Sequence, residues 1–342
     1  MSANEPETIE SGKFKLTLSP APTPLRLANA ELALSLDQPG MLTVTLAMLP
    51  TEIAKLSHSA CATEASLSWA DNALFKGHLL QVEFPKPAQV RFQYRDLLFA
   101  TKKISENSFV QEHSLRECLT KFTQKVGLNA QFYGNFSSAL PSFNLSGNSI
   151  FDHLVSLSHQ FGFHFVANSA ASEIAFIKLG QQVKSRLLDG AKHLGSIQHS
   201  QSAEHTYAKS HLRHFDPKSM QAQDRKMGDS DLYGPLGDFK GHGGFKSRAG
   251  WKLAEGALET HIADGFHFEA SEQLIRNQLS KAAMGQESLS VGGFTYLGHP
   301  GDKVTVKGAP AGDIQNGDYL IGSLRVNITS AIPKGSWELL RA

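Results

Sequence analysis

Two stretches decide the fold class of this chain: Leu289-Ser-Val-Gly-Gly-Phe-Thr-Tyr-Leu-Gly-His-Pro-Gly-Asp-Lys-Val-Thr-Val-Lys-Gly308 and Asn316-Gly-Asp-Tyr-Leu-Ile-Gly-Ser-Leu324. Pro300-Gly301-Asp302 predicts a tight turn that leads into a strand, and Asn316-Gly317 predicts a hairpin turn because both residues tolerate positive φ. The apolar runs around these turns predict a β-meander of short strands: Leu289–Val291, Phe294–Leu297, Val304–Val306, Tyr319–Thr329 and Trp337–Leu340.

The region before this meander has a weaker pattern. Short β-like pieces such as Leu194–His199 precede a polar, glycine-rich stretch, Asp229–Gly250, which predicts a long surface loop. A helix near Ser271–Met284 follows, with its apolar residues grouped on one side. We therefore assign residues 183–342 to a second β module that carries a loop-rich excursion at about 203–268.

The N-terminal part of the chain is dominated by alternation of apolar and polar residues, which is the signature of half-buried strands. Turns such as Asp37-Gln38-Pro39-Gly40 separate the alternating runs, which include Phe14–Leu18, Leu32–Leu36, Leu42–Leu46 and Val90–Tyr94. We predict a first all-β module, a small sandwich or barrel, over residues 13–102. The acidic residues 1–12, with almost nothing apolar, are predicted to form a disordered tail.

Helical periodicity replaces alternation in the middle of the chain. The segments Ser114–Gly127 and Ser149–Gly162 share one pattern: an N-cap serine, an acidic residue three positions later, an apolar face and a terminal glycine. This pattern predicts a capping box at the start and a left-handed glycine at the end of each helix. An extended run follows each glycine, so residues 103–182 are predicted to form an α/β module of two helix-strand units.

The amino-acid composition narrows the classes of function that the chain could have. The chain has 342 residues, 41% of them hydrophobic, and 33 basic residues against 32 acidic ones, which is ordinary for a folded soluble protein and predicts no strong attraction to nucleic acid or anionic membranes. Neither a membrane-spanning apolar run nor a secretory signal pattern is present, so we expect synthesis in the cytoplasm and no membrane span. Cys61 and Cys118 cannot build a disulfide framework and form no CxxC pair.

Histidines are the first candidates for a metal site. His211, His214 and Asp216 form the best group, since zinc accepts imidazole and carboxylate ligands, but their spacing fits no standard site. His193, His199, His205 and His211 recur every six residues, which would place them on one face of an ideal strand. Glycine and mixed polarity interrupt that segment, so coincidence is the favoured interpretation.

A carboxylate pair is the second candidate. Glu255 and Asp264 have a spacing similar to part of the Glu, Asp, Thr arrangement of phage lysozymes, in which two carboxyl groups act on a glycosidic bond. Ala270 occupies the position where threonine would be needed. Nucleophile elbows, thiol-enzyme signatures and phosphate-binding loops are also missing. We therefore predict no enzyme activity and no catalytic, cofactor-binding or metal site.

The C-terminal motifs carry a family resemblance. The order of a helix, a strand, the Pro300-Gly-x-x-Val304 turn, the Asn316-Gly-x-Tyr-x-Ile321 strand and a final hairpin resembles the end of the phage late control D, or baseplate hub, family. That family includes the N-terminal part of the VgrG proteins of type VI secretion. Residues 149–166, with Gly162-Phe-His-Phe165 after a helix, are also similar to it.

The resemblance implies a mainly β protein with an α/β insertion, in which three subunits with two similar β-barrels each form a ring of pseudo-six-fold symmetry. Such a homotrimer is a structural baseplate hub of a phage or phage-like contractile tail, and it joins a hexameric tail tube to a trimeric spike. Because VgrG proteins continue into a needle and this chain ends at Ala342, we expect a separate spike protein. Tape-measure and baseplate wedge proteins are further expected partners in the virion tail baseplate.

Two other functions remain open at this point. The carboxylates Glu255 and Asp264 would suit a tail-associated peptidoglycan hydrolase. Trp69, Trp251 and Trp337 would suit a carbohydrate-binding tail-tip protein if they stacked on sugars, although tryptophans so dispersed are more often core or interface anchors.

Overall fold

The protein consists mainly of strands. A computed structural model describes residues 7–11, 13–20, 26–53, 63–105, 108–110, 114–140, 143–145, 148–168, 171–201, 209–216, 221–227, 257–261, 281, 284, 287–312, 315–329 and 334–341. Within these ranges every helix is too short or too polar to span a bilayer.

The elements follow one another in three groups. The first group contains β1 (Glu7–Ser11), β2 (Phe14–Ser19), β3 (Leu27–Ser35), β4 (Gln38–Ala47), α1 (Pro50–Ile53), β5 (Glu64–Trp69), β6 (Asn72–Lys86) and β7 (Gln89–Asp96). The second contains a 3-10 turn (Leu97–Phe99), α2 (Ala100–Lys103), β8 (Ser108–Val110), α3 (Leu115–Lys125), β9 (Asn129–Tyr133), β10 (Phe143–Leu145), α4 (Ile150–Phe161), β11 (Phe163–Asn168) and β12 (Glu173–Lys178). The third contains β13 (Ser185–Asp189), β14 (Gly195–Gln201), β15 (Lys209–Asp216), β16 (Gln221–Met227), β17 (Ala257–His261), β18 (Glu287–Gly293), β19 (Lys303–Lys307), β20 (Gly317–Thr329) and β21 (Lys334–Arg341).

One sheet of thirteen strands unites the first and third groups. Its order is β1-β2-β5-β6-β7-β4-β3-β20-β21-β18-β14, and β19 pairs with β20 on one side and β13 on the other. The seam is the antiparallel pair β3–β20, where Leu34 lies opposite Leu324 and Leu32 lies opposite Val326. The strands of the two predicted β-barrel modules, 13–102 and 183–342, belong to this single sheet. The division into two separate barrels therefore stays a prediction.

Alternating side chains of this sheet build one hydrophobic core, as period two predicts for strands buried on one face. The core contains residues of both strand groups, among them Leu18 and Leu42 from the first and Val304 and Leu339 from the third. These four are essentially fully buried, and each such burial stabilises the fold by roughly 1.5–3 kcal/mol relative to exposure. The shared core therefore couples the two ends of the chain.

Two helices of the α/β region are each followed by a strand, α3 by β9 and α4 by β11. Ser114 and Ser149 cap α3 and α4 in full capping boxes, in which the Glu117 and Asp152 carboxylates accept hydrogen bonds from the cap N–H groups at 3.1 and 3.0 Å. Gly162 ends α4 with a φ of 59°. The strands that follow the helices flank β12, which runs antiparallel to β11 and parallel to β9. The helices bury their apolar faces against this small sheet.

The turn before β19 is confirmed, and it has a tertiary role. Asp302 N–H donates to the carbonyl of His299 at 3.0 Å, and Gly301 has a φ of 91°, which is the geometry of a type II turn with proline in its second position. A Cβ on Gly301 would meet the side chain of Ile177 on β12. Glycine is therefore needed here both for the left-handed backbone and for close packing on the α/β region.

Three local predictions were wrong. Asn316-Gly317 is not a two-residue hairpin turn, because β19 ends at Lys307 and the Asn316 side chain instead accepts a hydrogen bond from the Ala309 N–H at 3.0 Å, bracing a longer connection. Residues 294–297 form no strand, because the chain leaves the sheet after Gly293. The turn expected at residues 37–40 lies earlier, at Leu36 and Asp37, and Gln38 already begins β4.

Part of the predicted loop-rich excursion at 203–268 is ordered in strands. β15 pairs with β16 in antiparallel and with β17 in parallel orientation, in a separate three-stranded sheet. The predicted disordered tail, residues 1–12, does not hold for residues 7–11, which form β1 and pair antiparallel with β2. Residues 1–6 and the glycine-rich stretch 229–250 lie outside the described residues. Of the predicted helix Ser271–Met284, only Lys281 and Met284 are described, and both are helical.

Candidate functional site

The predicted histidine group lies on one strand. His211, His214 and Asp216 all belong to β15, where His211 lies opposite Lys226 of β16 and Glu259 of β17. Their side chains lie outside the described part of the structure, so the absence of a metal site there stays a prediction. In the part that is described, no group of three potential metal ligands comes together.

Two members of the six-residue histidine series bind neighbouring strands. His193 Nε2 lies 3.0 Å from the carbonyl of Gly292, and His199 Nε2 lies 3.0 Å from Glu287 Oε1. Glu287 also accepts from Arg341 Nη1 at 2.8 Å. These contacts tie β14 and β21 to β18 and give the two histidines a structural role. His205 lies outside the described residues.

The other residues that the sequence suggested for catalysis or binding form no active site in the described part of the chain. Glu255, Asp264, Ala270, Trp251 and Cys61 lie outside the described residues. Cys118 is buried on α3, and its burial raises the pKa of the thiol to about 12. Since the thiolate is the reactive form, Cys118 is inert at neutral pH.

Two of the three tryptophans are core residues. Trp69 and Trp337 are 3% and 0% exposed, and their ring centroids lie 5.7 Å apart across the shared core. Trp337 Nε1 donates to the carbonyl of Gly298 at 3.1 Å, so its polar atom is satisfied inside the protein. Neither ring is available to stack on a sugar, which removes these two residues from the carbohydrate-binding hypothesis.

A polar contact joins the β3–β4 hairpin to the α/β region. Asp37 stands at the hairpin tip with a φ of 60°, a left-handed conformation that aspartate tolerates better than most residues. Its N–H donates to the Phe165 carbonyl at 2.8 Å, and its Oδ1 accepts from the Phe165 N–H at 2.9 Å. The tip is thus bonded to β11 through both backbone and side chain.

The other oxygen of Asp37 completes a buried cluster. Oδ2 lies 2.8 Å from Nδ1 of His164 and 2.8 Å from Nζ of Lys281. Lys281 also donates to Ser158 Oγ at 2.8 Å and to the Phe163 carbonyl at 3.0 Å. We call Asp37, His164, Lys281 and Ser158 the polar junction. It connects the first strand group, the α/β region and the segment that precedes β18.

The surroundings of Asp37 in the polar junction favour the ionised form of its carboxyl group. Burial alone would raise the pKa of Asp37, but the hydrogen bond and charge of His164, together with Lys281, lower it to about 2. For Lys281, burial outweighs the attraction of Asp37, and its pKa lies below the usual range. Asp37 is therefore ionised at neutral pH, and its Oδ2 accepts a hydrogen bond from the Nδ1–H of His164.

The polar junction suits positioning better than catalysis. Ser158 and His164 are almost fully buried, and Ser158 Oγ donates to the Val155 carbonyl at 2.8 Å. No member of the junction lines the cleft between β9, β11, β12 and residues 296–302, or the groove beside β13. This cluster could not be predicted from the sequence, because its only local signal is an aspartate in a turn, which is common for purely conformational reasons.

A cleft with a volume of ≈ 310 Å³ lies where the three regions meet. Its walls come from the β5–β6 turn, from β9, β11 and β12, and from residues 183–186 and 296–302. One charged pair lies within it: Arg186 Nε is 3.8 Å from Asp302, and the Arg186 guanidinium is 5.0 Å from the ring centroid of Tyr296. The cleft is thus a polar gap between regions whose charged side chains already face one another.

Exposed apolar side chains mark two surfaces. Among the described residues, the exposed large hydrophobic side chains are Leu49, Leu80, Phe84, Leu187, Leu194 and Phe294. The first three lie on β6 or at the adjacent end of β4, and we call them the hairpin patch. Of the last three, Leu187 lines a groove in the third strand group, and Leu194 and Phe294 are the chain neighbours of its lining residues His193 and Thr295; we call these three the groove patch. Exposed apolar groups that cluster are typical of protein interfaces.

This chain is similar to known proteins in its fold but not in its sequence. The sequence matches no protein-family model and no curated protein. The fold matches the 43 kDa tail protein of prophage MuSo2 from Shewanella oneidensis with a TM-score of 0.68, over 92% of this chain and 94% of that chain, at 10% identity. A tail protein from Neisseria meningitidis gives a TM-score of 0.68 over 92% of both chains, also at 10% identity.

The chain has the fold of phage-type tail proteins. This tail-protein fold extends to secretion machinery: an Escherichia coli component of the type VI secretion system, which is described as similar to tail proteins of bacteriophage T4, matches with a TM-score of 0.60. That match covers 96% of this chain and 76% of the other, at 11% identity. The predicted resemblance to phage tail hub and VgrG-like proteins is confirmed at the level of the fold.

Proposed function

We propose that this protein is a structural hub of a phage-like contractile tail, in which a homotrimer joins the hexameric tail tube to a trimeric spike carried by a separate protein. The observation that carries this proposal is the fold match to two tail proteins over more than nine tenths of each chain. A fold shared over such length reflects the whole chain and not one recurrent motif.

The physical logic of a symmetry adaptor supports the same function. Each chain has two sheet-rich ends, β1–β7 and the strands from β13 to β21, on either side of the β3–β20 seam. Three copies would therefore present six sheet-rich units around one axis, which is the number that a hexameric tube requires. Closure into a ring would also cover strand edges that are hazardous in an isolated subunit.

The proposed work is assembly without catalysis. Two carboxyl groups with shifted pKa values have structural partners: Asp37 bonds to the α/β region, and buried Asp96 accepts hydrogen bonds from the N–H groups of Gly40 and Leu98. Similarity to structural tail proteins supports the same reading. The site of action would be the baseplate of the virion or of a phage-like particle.

Reconstitution tests the proposal. The protein is mixed with the tube and spike proteins encoded beside its gene, and the products are separated by size and viewed by negative-stain electron microscopy. We expect a three-fold ring that binds tube on one face and spike on the other. A monomer that binds neither protein but clears a peptidoglycan suspension, and loses that activity in Glu255→Ala, would establish the hydrolase alternative instead.

A further inference from the structure

The cleft where the three regions meet has the size of a small-molecule site. Its volume of ≈ 310 Å³ lies within the range of ligand pockets, but its lining is more polar than is usual for them. The buried apolar residues of the lining are Leu74, Val166, Ala175 and Pro300. The exposed polar residues of the lining are Asp71, Gln131, Asn168 and Lys184. A ligand that matches this lining needs many hydrogen-bonding groups together with some apolar surface.

The small sheet of the α/β region supplies one wall of the cleft. Gln131 and Tyr133 lie two positions apart on β9, and Glu173 lies on β12, which runs parallel to β9. All three residues line the cleft, while the other face of this sheet packs on the helices. Burial and the carboxylates of Glu173 and Asp302 raise the pKa of the Tyr133 phenol. Its hydroxyl therefore keeps its proton at neutral pH and can both donate and accept hydrogen bonds.

The opposite wall contains a buried donor without an acceptor. Arg186 Nε is buried and makes no hydrogen bond within the described structure, because Asp302 Oδ2 lies 3.8 Å away, beyond hydrogen-bond range. Tyr296, whose ring lies beside the Arg186 guanidinium, lines the same wall. A buried N–H group without an acceptor costs free energy, so a ligand oxygen at this position would be stabilised.

Contacts between the walls hold the cleft in shape. His299 Nε2 lies 2.9 Å from the Ala73 carbonyl, which ties residues 296–302 to β6. Gly301 packs closely on the side chain of Ile177 in β12. Since Nε2 donates to a carbonyl, the neutral His299 ring keeps Nδ1 as an acceptor. A site that is already formed binds its ligand with little loss of conformational entropy.

We propose that this cleft binds a saccharide of one or two rings, a function separate from the proposed hub. Donors of Arg186 and Lys184 and acceptors of Glu173 and Asp302 share the lining, and each sugar hydroxyl both donates and accepts. A ligand with one net charge would meet like charges in the same lining, which is unfavourable. The half-buried ring of Tyr133 offers apolar surface to the C–H face of a sugar ring.

Binding measurements on the full chain test the proposal with three probes. The probes are N,N′-diacetylchitobiose, maltose and glycine betaine, and binding is followed by titration calorimetry and saturation-transfer difference NMR. The first disaccharide carries the acetamido groups of cell-wall glycans and the second carries hydroxyls alone, so the pair distinguishes the two sources of sugar. Glycine betaine tests the alternative that a zwitterion satisfies the charges of the cleft.

Two variants and one control locate the site. Gln131→Ala removes an exposed amide from the cleft, and Arg186→Lys keeps the positive charge but removes the Nε donor. Asn129→Ala is the matched control, because Asn129 is exposed on the same face of β9 but lies outside the cleft lining. Circular dichroism melts of all three variants check that they are folded.

We expect one bound disaccharide per chain. Gln131→Ala and Arg186→Lys should each weaken binding by about 10-fold or more, because each leaves ligand groups unpaired, and Asn129→Ala should bind like the wild type. Binding of the acetamido disaccharide alone would assign the cleft to a cell-wall type of glycan. Binding of both disaccharides would assign it to sugar hydroxyls in general.

Three results would overturn the proposal. One is the absence of a signal with either disaccharide at about 10 mM, where a site with a Kd of about 1 mM would be nearly filled. Another is binding that is equal in the wild type and all folded variants, which would place the sugar elsewhere on the surface. The third is binding of glycine betaine alone, which would identify a zwitterion site. None of these results bears on ring formation with tube and spike, so the hub function stands or falls separately.

Discussion

Asp37 Oδ2 lies 2.8 Å from Nδ1 of His164, although the two residues are separated by 127 positions in the sequence. The same oxygen lies 2.8 Å from Nζ of Lys281, so one carboxylate holds two groups from two other parts of the chain. The side chains of His164 and Lys281 are each only 7% exposed. Removal of the carboxylate charge would therefore leave a buried ammonium group without its counter-ion.

Asp37→Asn should destabilise the protein by about 3 kcal/mol at neutral pH, because breaking one side of a buried ion pair strands the other charge. Asparagine keeps the tolerance for positive φ and one acceptor for the Phe165 N–H, so the loss reports the charge. Urea unfolding monitored by fluorescence measures it. Adding Lys281→Met to Asp37→Asn should recover part of the lost stability.

The matched control is Asp189→Asn. Its ion pair with Lys192 is of similar length, 3.2 Å, but the two side chains are 44% and 86% exposed. Exposed pairs contribute at most about 1 kcal/mol. Equal losses of stability in Asp37→Asn and Asp189→Asn would show that the polar junction has no special role.

The carboxyl group of Asp96 should give the free energy of unfolding a distinct pH dependence. This carboxylate is buried, and burial raises its pKa to about 7 despite hydrogen bonds from Gly40 and Leu98. A raised carboxyl pKa in the folded state means that its contribution to stability is present below about pH 4 and is lost as pH rises toward 7. Over that interval the free energy of unfolding should fall by up to roughly 4 kcal/mol from this group.

Asp96→Asn should flatten this slope, since an amide does not titrate. Urea titrations at several pH values between 4 and 7 compare the slopes of the two proteins. Asp37 acts in a different window, because its pKa is lowered to about 2 and its contribution is lost only as pH falls below about 4. If wild type and Asp96→Asn have parallel pH profiles between 4 and 7, Asp96 is not the titrating group.

Local features of the fold were predictable from the sequence because their causes are local. The capping boxes at Ser114 and Ser149 and the turn at Pro300-Gly301 depend on residues within three or four positions. The prediction of a hairpin turn at Asn316-Gly317 was wrong because a contact outside the dipeptide determines the backbone there. The Asn316 side chain accepts a hydrogen bond from the Ala309 N–H, and this contact shapes the connection.

The candidate sites were less predictable, since they depend on contacts between distant residues. Nothing adjacent to Asp37 in the sequence indicates that it binds Phe165 and Lys281. The groove patch is similar, because Leu187 and Phe294 are ordinary strand-type residues in the sequence. Only the pairing of β14 with β18, and the position of β13, leave them exposed in or next to one groove.

Loss of an N-cap side chain should lower the stability of the protein by a modest amount. Ser149→Ala should destabilise the protein by about 1 kcal/mol, because the N–H of Asp152 loses its acceptor at the start of α4. Ser156→Ala, on the exposed face of the same helix, is the control and should be neutral or slightly stabilising. Thermal melts compare the two. An equal decrease in Tm for both variants would argue against a specific capping effect.

The β3–β20 seam predicts that the two ends of the chain unfold together. Leu32 and Val326 lie opposite each other across the seam, both almost fully buried, and the core on either side is continuous. Leu32→Ala, in the first strand group, should cost about 2–5 kcal/mol and should destabilise the surroundings of Trp337 as much as those of Trp69. Hydrogen exchange measured by mass spectrometry resolves the two regions, and Leu74→Ala, away from the seam, serves as the comparison within the first group. Protection that is lost around Trp69 while β21 keeps its full protection would mean that the ends are independent barrels, as the sequence had suggested, and that the seam joins them only weakly.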